Sequence, residues 1–267
     1  RSGPLVWKTR QGLSVAADLA ILGYFKYLGF FEQTINAVAR HQVIEPAHIA
    51  LPIGISFFLF QCISYTVDLY RGKVQPTKNF LDFACYVSLF PHLVAGPILR
   101  YQFMEKQMRD RVHTVGKFAE GVAFLTIGLA KKVLIADTMG IAANALFDGG
   151  GSASAYACWA GLIAYTLQIF YDFSGYSDMA VGIGRFMGFN IPQNFNSPYL
   201  STSFSDFWRR WHMSLSYWLR DFLYIPMGGS KKGAVRTYIN LILTMFLGGL
   251  WHGASWTFVV WGLWHGS

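Results

Sequence analysis

The stretch "AYACWAGLIAYTLQIFY" (155–171) is apolar and aromatic, and it contains no charged residue. Its length approaches the roughly 20 residues that a helix needs to cross a hydrocarbon core of about 30 Å. Similar runs occur at 13–31, 49–67 and 118–136. These four stretches predict membrane-spanning helices. We interpret residues 1–267 as a single domain, an all-α polytopic transmembrane helical bundle.

The composition points to the same class of protein. The chain is 53% hydrophobic and only 13% charged, whereas soluble domains carry about 25% charged residues. Cys62, Cys85 and Cys158 stand singly in apolar runs, so we expect them to be packing residues. The sequence opens at Arg1 and stops at Ser267 inside an aromatic run, which predicts a fragment truncated at both ends.

The basic residues lie between the apolar runs, which argues against nucleic-acid binding despite a net charge of +8. The positive-inside rule places the chain start and the basic loops on the cytoplasmic side. Loops with few basic residues are expected outside. The predicted inner loops are 70–79, 100–117 and 230–237, and the predicted outer loops are 32–48 and 137–153. The glycine-rich stretch 148–154 is interpreted as a connection between two spans.

The apolar stretch 80–99 separates two basic loops that the rule places on one side of the membrane. It contains Pro91, Gly96 and Pro97, which favour a break in a helix. We therefore predict a re-entrant hairpin there. A span kinked at proline, with one basic loop outside, remains the alternative.

His252 stands in "GGLWHG" (248–253), at the end of an apolar run. If a helix begins near Tyr238, the rise per residue carries the chain about 20 Å inward and places His252 past the midplane. Titratable residues at such depth usually face a bundle interior or a cavity and act in a functional path. Trp251 and Trp256 could wall a pocket there. A structural histidine with a satisfied ring is the alternative.

A second cluster of polar residues occupies "SFSDFWRRWHMSLSYWLRDFLYIPMGGSKKG" (203–233). Helical spacing predicts that Asp206 pairs with Arg209 and Arg210. The same spacing places His212 on one face with Trp208 and Trp211. We interpret this cluster as a buried polar site, and an interfacial membrane-surface helix is the alternative.

These two segments, with "FPHLVAGPILR" (90–100) and "GLAKKVLIAD" (128–137), closely resemble the bacterial membrane-bound O-acyltransferases (MBOAT). That family includes the membrane subunit for alginate O-acetylation and, more distantly, the teichoic-acid D-alanylation protein. The resemblance covers roughly residues 50–267. It implies an MBOAT-like bundle with broken helices. It also makes His252 the expected catalytic residue, and it maps the histidine of the "WRRWH" segment onto His212.

The resemblance implies transfer of an acyl group, usually acetyl, from a cytoplasmic thioester such as acetyl-CoA to a polysaccharide outside the membrane. Two histidines, His252 and His212, are the expected catalytic residues. The phosphates of the donor are expected to contact four basic residues: Arg209, Arg210, Lys231 and Lys232. No bound cofactor or metal is predicted. An extracytoplasmic transferase subunit and membrane lipid are the expected partners, and the bacterial inner membrane is the expected location. Neutral imidazole can act as base or nucleophile. A transporter or channel, or a non-catalytic scaffold of a polysaccharide secretion complex, are the alternatives.

Overall fold

The computed structural model describes residues 4–47, 49–94, 96–147 and 154–267, and the side chains from residue 9 onward. All regular elements over these residues are helical. The α-helices are α1 Pro4–Leu22, α2 Leu28–Ala39, α3 Ile55–Tyr70, α4 Phe80–Ser88, α5 Tyr101–Arg109, α6 Val115–Ala130, α7 Asp137–Phe147, α8 Ala155–Phe186, α9 Phe204–Arg210, α10 Met213–Leu219, α11 Ala234–His252 and α12 Trp256–Gly266. The all-helical fold predicted from the apolar runs is confirmed for the described residues.

The chain forms two compact units, and each unit is built from segments that are not contiguous in the sequence. The first unit comprises Arg1–Ser88, Arg100–Gln102 and Leu215–Ser267. The second unit comprises Leu89–Leu99 and Phe103–Ser214. His252 therefore belongs to the first unit and His212 to the second.

In the first unit, a π-helical turn Gly23–Tyr27 joins α1 to α2. Leu22 packs in a small buried cluster with Ile55 and Leu59 of α3, which fixes the π turn beside that helix. Gly249 of "GGLWHG" lets α11 and α12 pack at backbone distance. A Cβ atom added to Gly249 would lie 3.0 Å from the Cα of Gly262, so any larger residue would force the two helices apart.

In the second unit, α6 and α7 run antiparallel to α8, joined to each other by the π turn Lys131–Ala136. Gly121 lies against Gly182 and Gly128 against Gly175, in opposite sequence order. Small residues at such contacts are typical of packed membrane helices. Residues 174–184 contribute Gly175 and Gly182 to this helix packing.

Two helical stretches, Thr9–Ala39 and Ala234–His252, are long and apolar enough to cross a membrane, and Ile55–Tyr70 is a shorter apolar helix. The predicted spans 118–136 and 155–171 lie on helices that fall outside this set. The first of them contains Glu120, Lys131 and Lys132, and tyrosines and a glutamine lower the hydropathy of the second. A polytopic arrangement therefore remains a prediction.

Several predicted loops are partly helical, because charged residues mark neither the start nor the end of a helix by themselves. Helix α2 continues to Ala39, α5 lies within 100–117, α7 covers 137–147, and α11 begins at Ala234. Residues 148–153, the predicted glycine-rich connection, lie outside the described residues. In 80–99 the predicted break is confirmed, since α4 ends at Ser88 and a short 3₁₀ turn, Phe90–His92, follows. The membrane side of that segment stays a prediction.

Candidate active site

His252 is the last residue of α11, and its imidazole is exposed. The helix ends there because Gly253 leaves helical geometry for an extended backbone, while its N–H still donates to the carbonyl of Gly249. An exposed ring at a helix end can meet a substrate without any movement of the core.

Three aromatic rings surround the imidazole of His252. The rings of Trp251 and Trp261 each pack edge to face against the imidazole, with centroids 5.0 Å from its own. The ring of Phe258 is stacked on the imidazole at a centroid distance of 6.1 Å. The expected wall formed by Trp251 is present. Trp256 instead contacts the ring of Phe30 and donates a hydrogen bond to the hydroxyl of Thr34. Phe258 and Trp261 were missed, although their i, i+3 spacing on α12 is a usable signal.

Two side chains of the first unit hold the helix end that carries His252. Lys26 donates a hydrogen bond to the backbone carbonyl of Trp251 and another, at 2.9 Å, to the hydroxyl of Ser56. Tyr27 donates to the carbonyl of Leu250 at 2.8 Å. The last carbonyls of a helix lack partners within the helix, so these bonds satisfy them. Sequence reasoning missed both residues, since nothing local connects positions so far apart in the chain.

The depth of His252 along its helix differs from the prediction. Helix α11 begins at Ala234 rather than near Tyr238 and is 19 residues long. Its rise is therefore about 27 Å instead of about 20 Å. If α11 crosses the membrane from its N-terminus, His252 lies past the midplane as predicted, but nearer to the far side of the hydrocarbon core.

His212 does not share a helical face with Trp208 and Trp211, so that prediction is wrong. Helix α9 ends at Arg210, Trp211 has an extended backbone, and His212 adopts the left-handed region with φ of 43°. Its side chain is buried, with 1% exposure. The ring meets Phe173 edge to face at 4.8 Å. Left-handed geometry is uncommon for residues other than glycine.

The amide side chain of Asn194 explains this backbone geometry. Asn194 lies 3.2 Å from the Nδ1 atom of His212 and accepts a hydrogen bond from the N–H of Ser214 at 3.0 Å. Its backbone carbonyl also accepts from the N–H of Met213. Asn194 thus ties the turn between α9 and α10 to the preceding loop, and His212 is a member of a buried polar network.

The basic residues predicted to bind the donor are divided between the two units. In the second unit, Arg210 pairs with Asp206 at 2.9 Å, and Arg209 lies 3.9 Å from the same carboxylate with its side chain 70% exposed. The predicted pairing along α9 is confirmed. In the first unit, Lys231 and Lys232 are exposed just before α11. Donor binding by these four residues remains a prediction.

A further ionic cluster in the first unit surrounds Asp221. Arg100 contacts its carboxylate at 2.7 Å, and so does Arg220. Burial alone would raise the pKa of Asp221, but the hydrogen bonds from Arg220 and Arg100 outweigh it, so the pKa is lowered. Arg100 is therefore engaged with a carboxylate that stays ionised, which makes it a poor candidate for holding a donor phosphate.

The described residues thus form a helical fold in which an exposed histidine ends one of two helices long and apolar enough to cross a membrane. The sequence profile of the membrane-bound O-acyltransferase family (MBOAT) matches residues 53–266. The chain belongs to this family.

Relatives with described activities show where the similarity extends. A probable alginate O-acetylase AlgI of Pseudomonas putida is 52% identical over 95% of the chain and 53% of its own length. A peptidoglycan O-acetyltransferase of Helicobacter pylori is 41% identical over 95% of the chain and 53% of its own length. A teichoic acid D-alanyltransferase of Bacillus subtilis is 29% identical over 85% of the chain and 60% of its own length. The chain thus spans about half the length of the relatives it matches.

Proposed function

We propose that the full-length protein is a membrane-bound O-acyltransferase that moves an acetyl group from a cytoplasmic thioester, such as acetyl-CoA, to a polysaccharide outside the membrane. The observation that carries this proposal is the position of His252. It is an exposed imidazole, ringed by Trp251, Trp261 and Phe258, at the end of an apolar helix inside the family-matched region.

His252 would act on the hydroxyl group of the acceptor. As a base, its neutral imidazole takes the hydroxyl proton while the oxygen attacks the thioester carbonyl, the carbon–sulfur bond breaks, and the thiol leaves with a proton. As a nucleophile, its nitrogen would attack the thioester carbonyl, the carbon–sulfur bond would break to release the thiol, and the acyl group would then pass from the nitrogen to the acceptor hydroxyl.

The acceptor is assigned by likeness to the O-acetylating relatives, and alginate is the first candidate because the 52% identical relative is named as an alginate O-acetylase. Arg209, Arg210, Lys231 and Lys232 are proposed to attract the phosphates of the donor. His212 is proposed to stabilise the turn between α9 and α10 through its network with Asn194. A multi-pass location in a bacterial inner membrane and delivery through an extracytoplasmic transferase subunit complete the proposal.

The experiment that tests the proposal follows a labelled acetyl thioester with purified full-length protein in liposomes. Wild-type protein should transfer label to a polysaccharide acceptor, and His252→Ala should not. His265→Ala is the matched control, because His265 also stands in a tryptophan–histidine–glycine sequence on the neighbouring helix. Undiminished transfer by His252→Ala would overturn the proposed role of His252, and no transfer by wild type would leave a transporter or scaffold as the better interpretation.

A further inference from the structure

The π turn Gly23–Tyr27 places two polar side chains against the end of α11. The last carbonyl groups of an α-helix have no partner within the helix. In α11, the carbonyl of Leu250 accepts a hydrogen bond from the hydroxyl of Tyr27 at 2.8 Å, and the carbonyl of Trp251 accepts one from the ammonium of Lys26. These two carbonyls belong to the residues that directly precede the proposed catalytic histidine.

The geometry of the π turn explains how two consecutive side chains reach the same helix end. A π turn closes with i→i+5 hydrogen bonds, so it holds more residues than an α-helical turn and its successive side chains diverge less. The turn is also attached to α3. Leu22, which precedes it, packs with Ile55 and Leu59, and Lys26 donates a second hydrogen bond, at 2.9 Å, to the hydroxyl of Ser56. The π turn therefore joins the beginning of α3 to the end of α11.

Trp251 connects Lys26 to the imidazole of His252. The indole of Trp251 packs edge to face against that imidazole, with ring centroids 5.0 Å apart. The same indole contacts Phe57 and Phe60 of α3, at 5.2 and 5.6 Å, and the ammonium of Lys26 lies 5.8 Å from its centroid. A shift of the Trp251 backbone would thus move both the imidazole and one of the rings that surround it.

Lys26 carries a positive charge in surroundings that make it costly. It lies within the apolar stretch Thr9–Ala39, and it takes part in none of the ion pairs among the described residues. The carbonyl groups at the C-terminus of a helix carry partial negative charge, and a cation there is favourable. Charged residues within apolar membrane segments usually serve a function. The end of α11 is therefore the feature that the charge of Lys26 stabilises.

We propose that Lys26 is a positioning residue for acyl transfer, because its bond to the Trp251 carbonyl holds the last turn of α11 and so fixes the direction of the His252 imidazole. Tyr27 assists through the preceding carbonyl. Both act through the backbone of α11, and neither is assigned a part in bond formation. This inference rests on the proposed function. It extends the site to the N-terminal helices, since both residues precede the family-matched region 53–266.

A positioning residue has a kinetic signature that differs from that of a binding residue. Misplacement of a reacting group by about 1 Å can lower the rate about a hundredfold, while substrate contacts elsewhere stay intact. Loss of a positioning residue should therefore lower kcat and leave KM largely unchanged. Loss of a residue that binds the donor or the acceptor should instead raise the KM for that substrate.

The experiment measures kcat and KM for both substrates with full-length protein in liposomes, a labelled acetyl thioester and a polysaccharide acceptor. Lys26→Met keeps a long side chain but removes the ammonium, so kcat should fall by about tenfold to a hundredfold, with KM within about threefold of wild type. Lys26→Arg keeps a charge and N–H donors and should recover most of the lost kcat. Tyr27→Phe loses a single hydrogen bond and should lower kcat by about threefold to tenfold.

Tyr24→Phe is the matched control for Tyr27→Phe. Tyr24 belongs to the same π turn, its side chain is 54% exposed, and its ring packs against Phe25 at 5.1 Å. The substitution removes the same hydroxyl group without removing a bond to α11. Both kinetic constants should therefore stay within about twofold of wild type, as is usual for surface substitutions.

A Lys26→Met protein with the kcat of wild type, or with a loss confined to the KM of one substrate, would overturn the proposal. If Lys26→Met does not insert, Tyr27→Phe decides: a lower kcat at unchanged KM supports the proposal, and an unchanged kcat refutes it. If wild type transfers no acetyl group, the proposed function fails, and hydrogen–deuterium exchange of the solubilised protein decides whether Lys26 holds the helix end. Faster exchange in Lys26→Met, confined to peptides around 246–254, supports this role, and unchanged exchange there refutes it.

Discussion

The surroundings of His252 and of His212 differ in the properties that separate a reacting group from a supporting one. The His252 ring is exposed at a helix end and is bounded by aromatic faces. His212 is 1% exposed, and its Nδ1 atom faces the amide of Asn194. A substrate can reach the first imidazole without unfolding anything, whereas the second is committed to the local fold. Two histidines in equally aromatic sequence are therefore expected to respond differently to substitution.

The largest effect is expected from His252→Gln. Glutamine keeps a polar side chain but cannot take a proton from the acceptor or carry an acyl group, so transfer should fall by about two to four orders of magnitude. Expression and thermal stability should change little, because the side chain is exposed. Rates of labelled acetyl transfer measure the effect. A variant that inserts normally and keeps transfer within about threefold of wild type would remove His252 from the chemistry.

Gly249→Ala should have the next largest effect, because it disturbs the placement of His252 without touching its ring. The new Cβ would lie 3.0 Å from both the Cα and the N of Gly262, and α11 and α12 would have to separate. Misplacement of a catalytic group by a fraction of an ångström should lower transfer about tenfold.

Gly12→Ala is the matched control for this substitution. Gly12 lies on α1 with no atom within 4 Å of an added Cβ, so alanine there should be neutral or slightly stabilising. Equal activity of the two alanine variants would show that the close approach of α11 and α12 does not position the site.

His212→Ala should act mainly on stability. It removes the ring that contacts Phe173 and leaves the Asn194 amide with one partner fewer, at a cost of about 1–3 kcal/mol. His212→Asn should cost less, since asparagine adopts a left-handed backbone more readily than alanine. Thermal unfolding of the solubilised full-length protein measures both changes. If His212→Ala unfolds like wild type but is inactive, His212 takes part in the reaction.

The sequence predicted the helical fold and the polar character of both histidine segments, because apolar length and composition are local properties. The Asp206–Arg210 pair was predicted for the same reason, as it depends only on spacing along one helix. The surroundings of His252 were partly predictable, since Trp251 is its neighbour and Phe258 and Trp261 recur at helical spacing.

The errors arise where distant residues decide local geometry. The prediction assumed that α9 continues through Trp211 to His212. In the structure, Asn194 instead accepts hydrogen bonds from the N–H groups of Met213 and Ser214, and α9 ends before them, at Arg210. Lys26 contacts Trp251 across 225 positions of sequence, and no pattern within either segment indicates that contact. The start of α11 was predicted about one turn too late. The basic residues Lys231, Lys232 and Arg236 were interpreted as a loop, but Arg236 already lies in the helix.

The contrast between the two histidines can be tested most directly by chemical modification of the full-length protein. Diethyl pyrocarbonate acylates accessible neutral imidazoles, and peptide mass spectrometry reports which histidines have reacted. We expect His252 to be modified early, in step with the loss of acetyl transfer and more slowly when the thioester donor is present, while His212 remains unmodified until the protein unfolds. Full transfer activity after complete modification of His252 would contradict the central claim that this imidazole performs the acyl transfer.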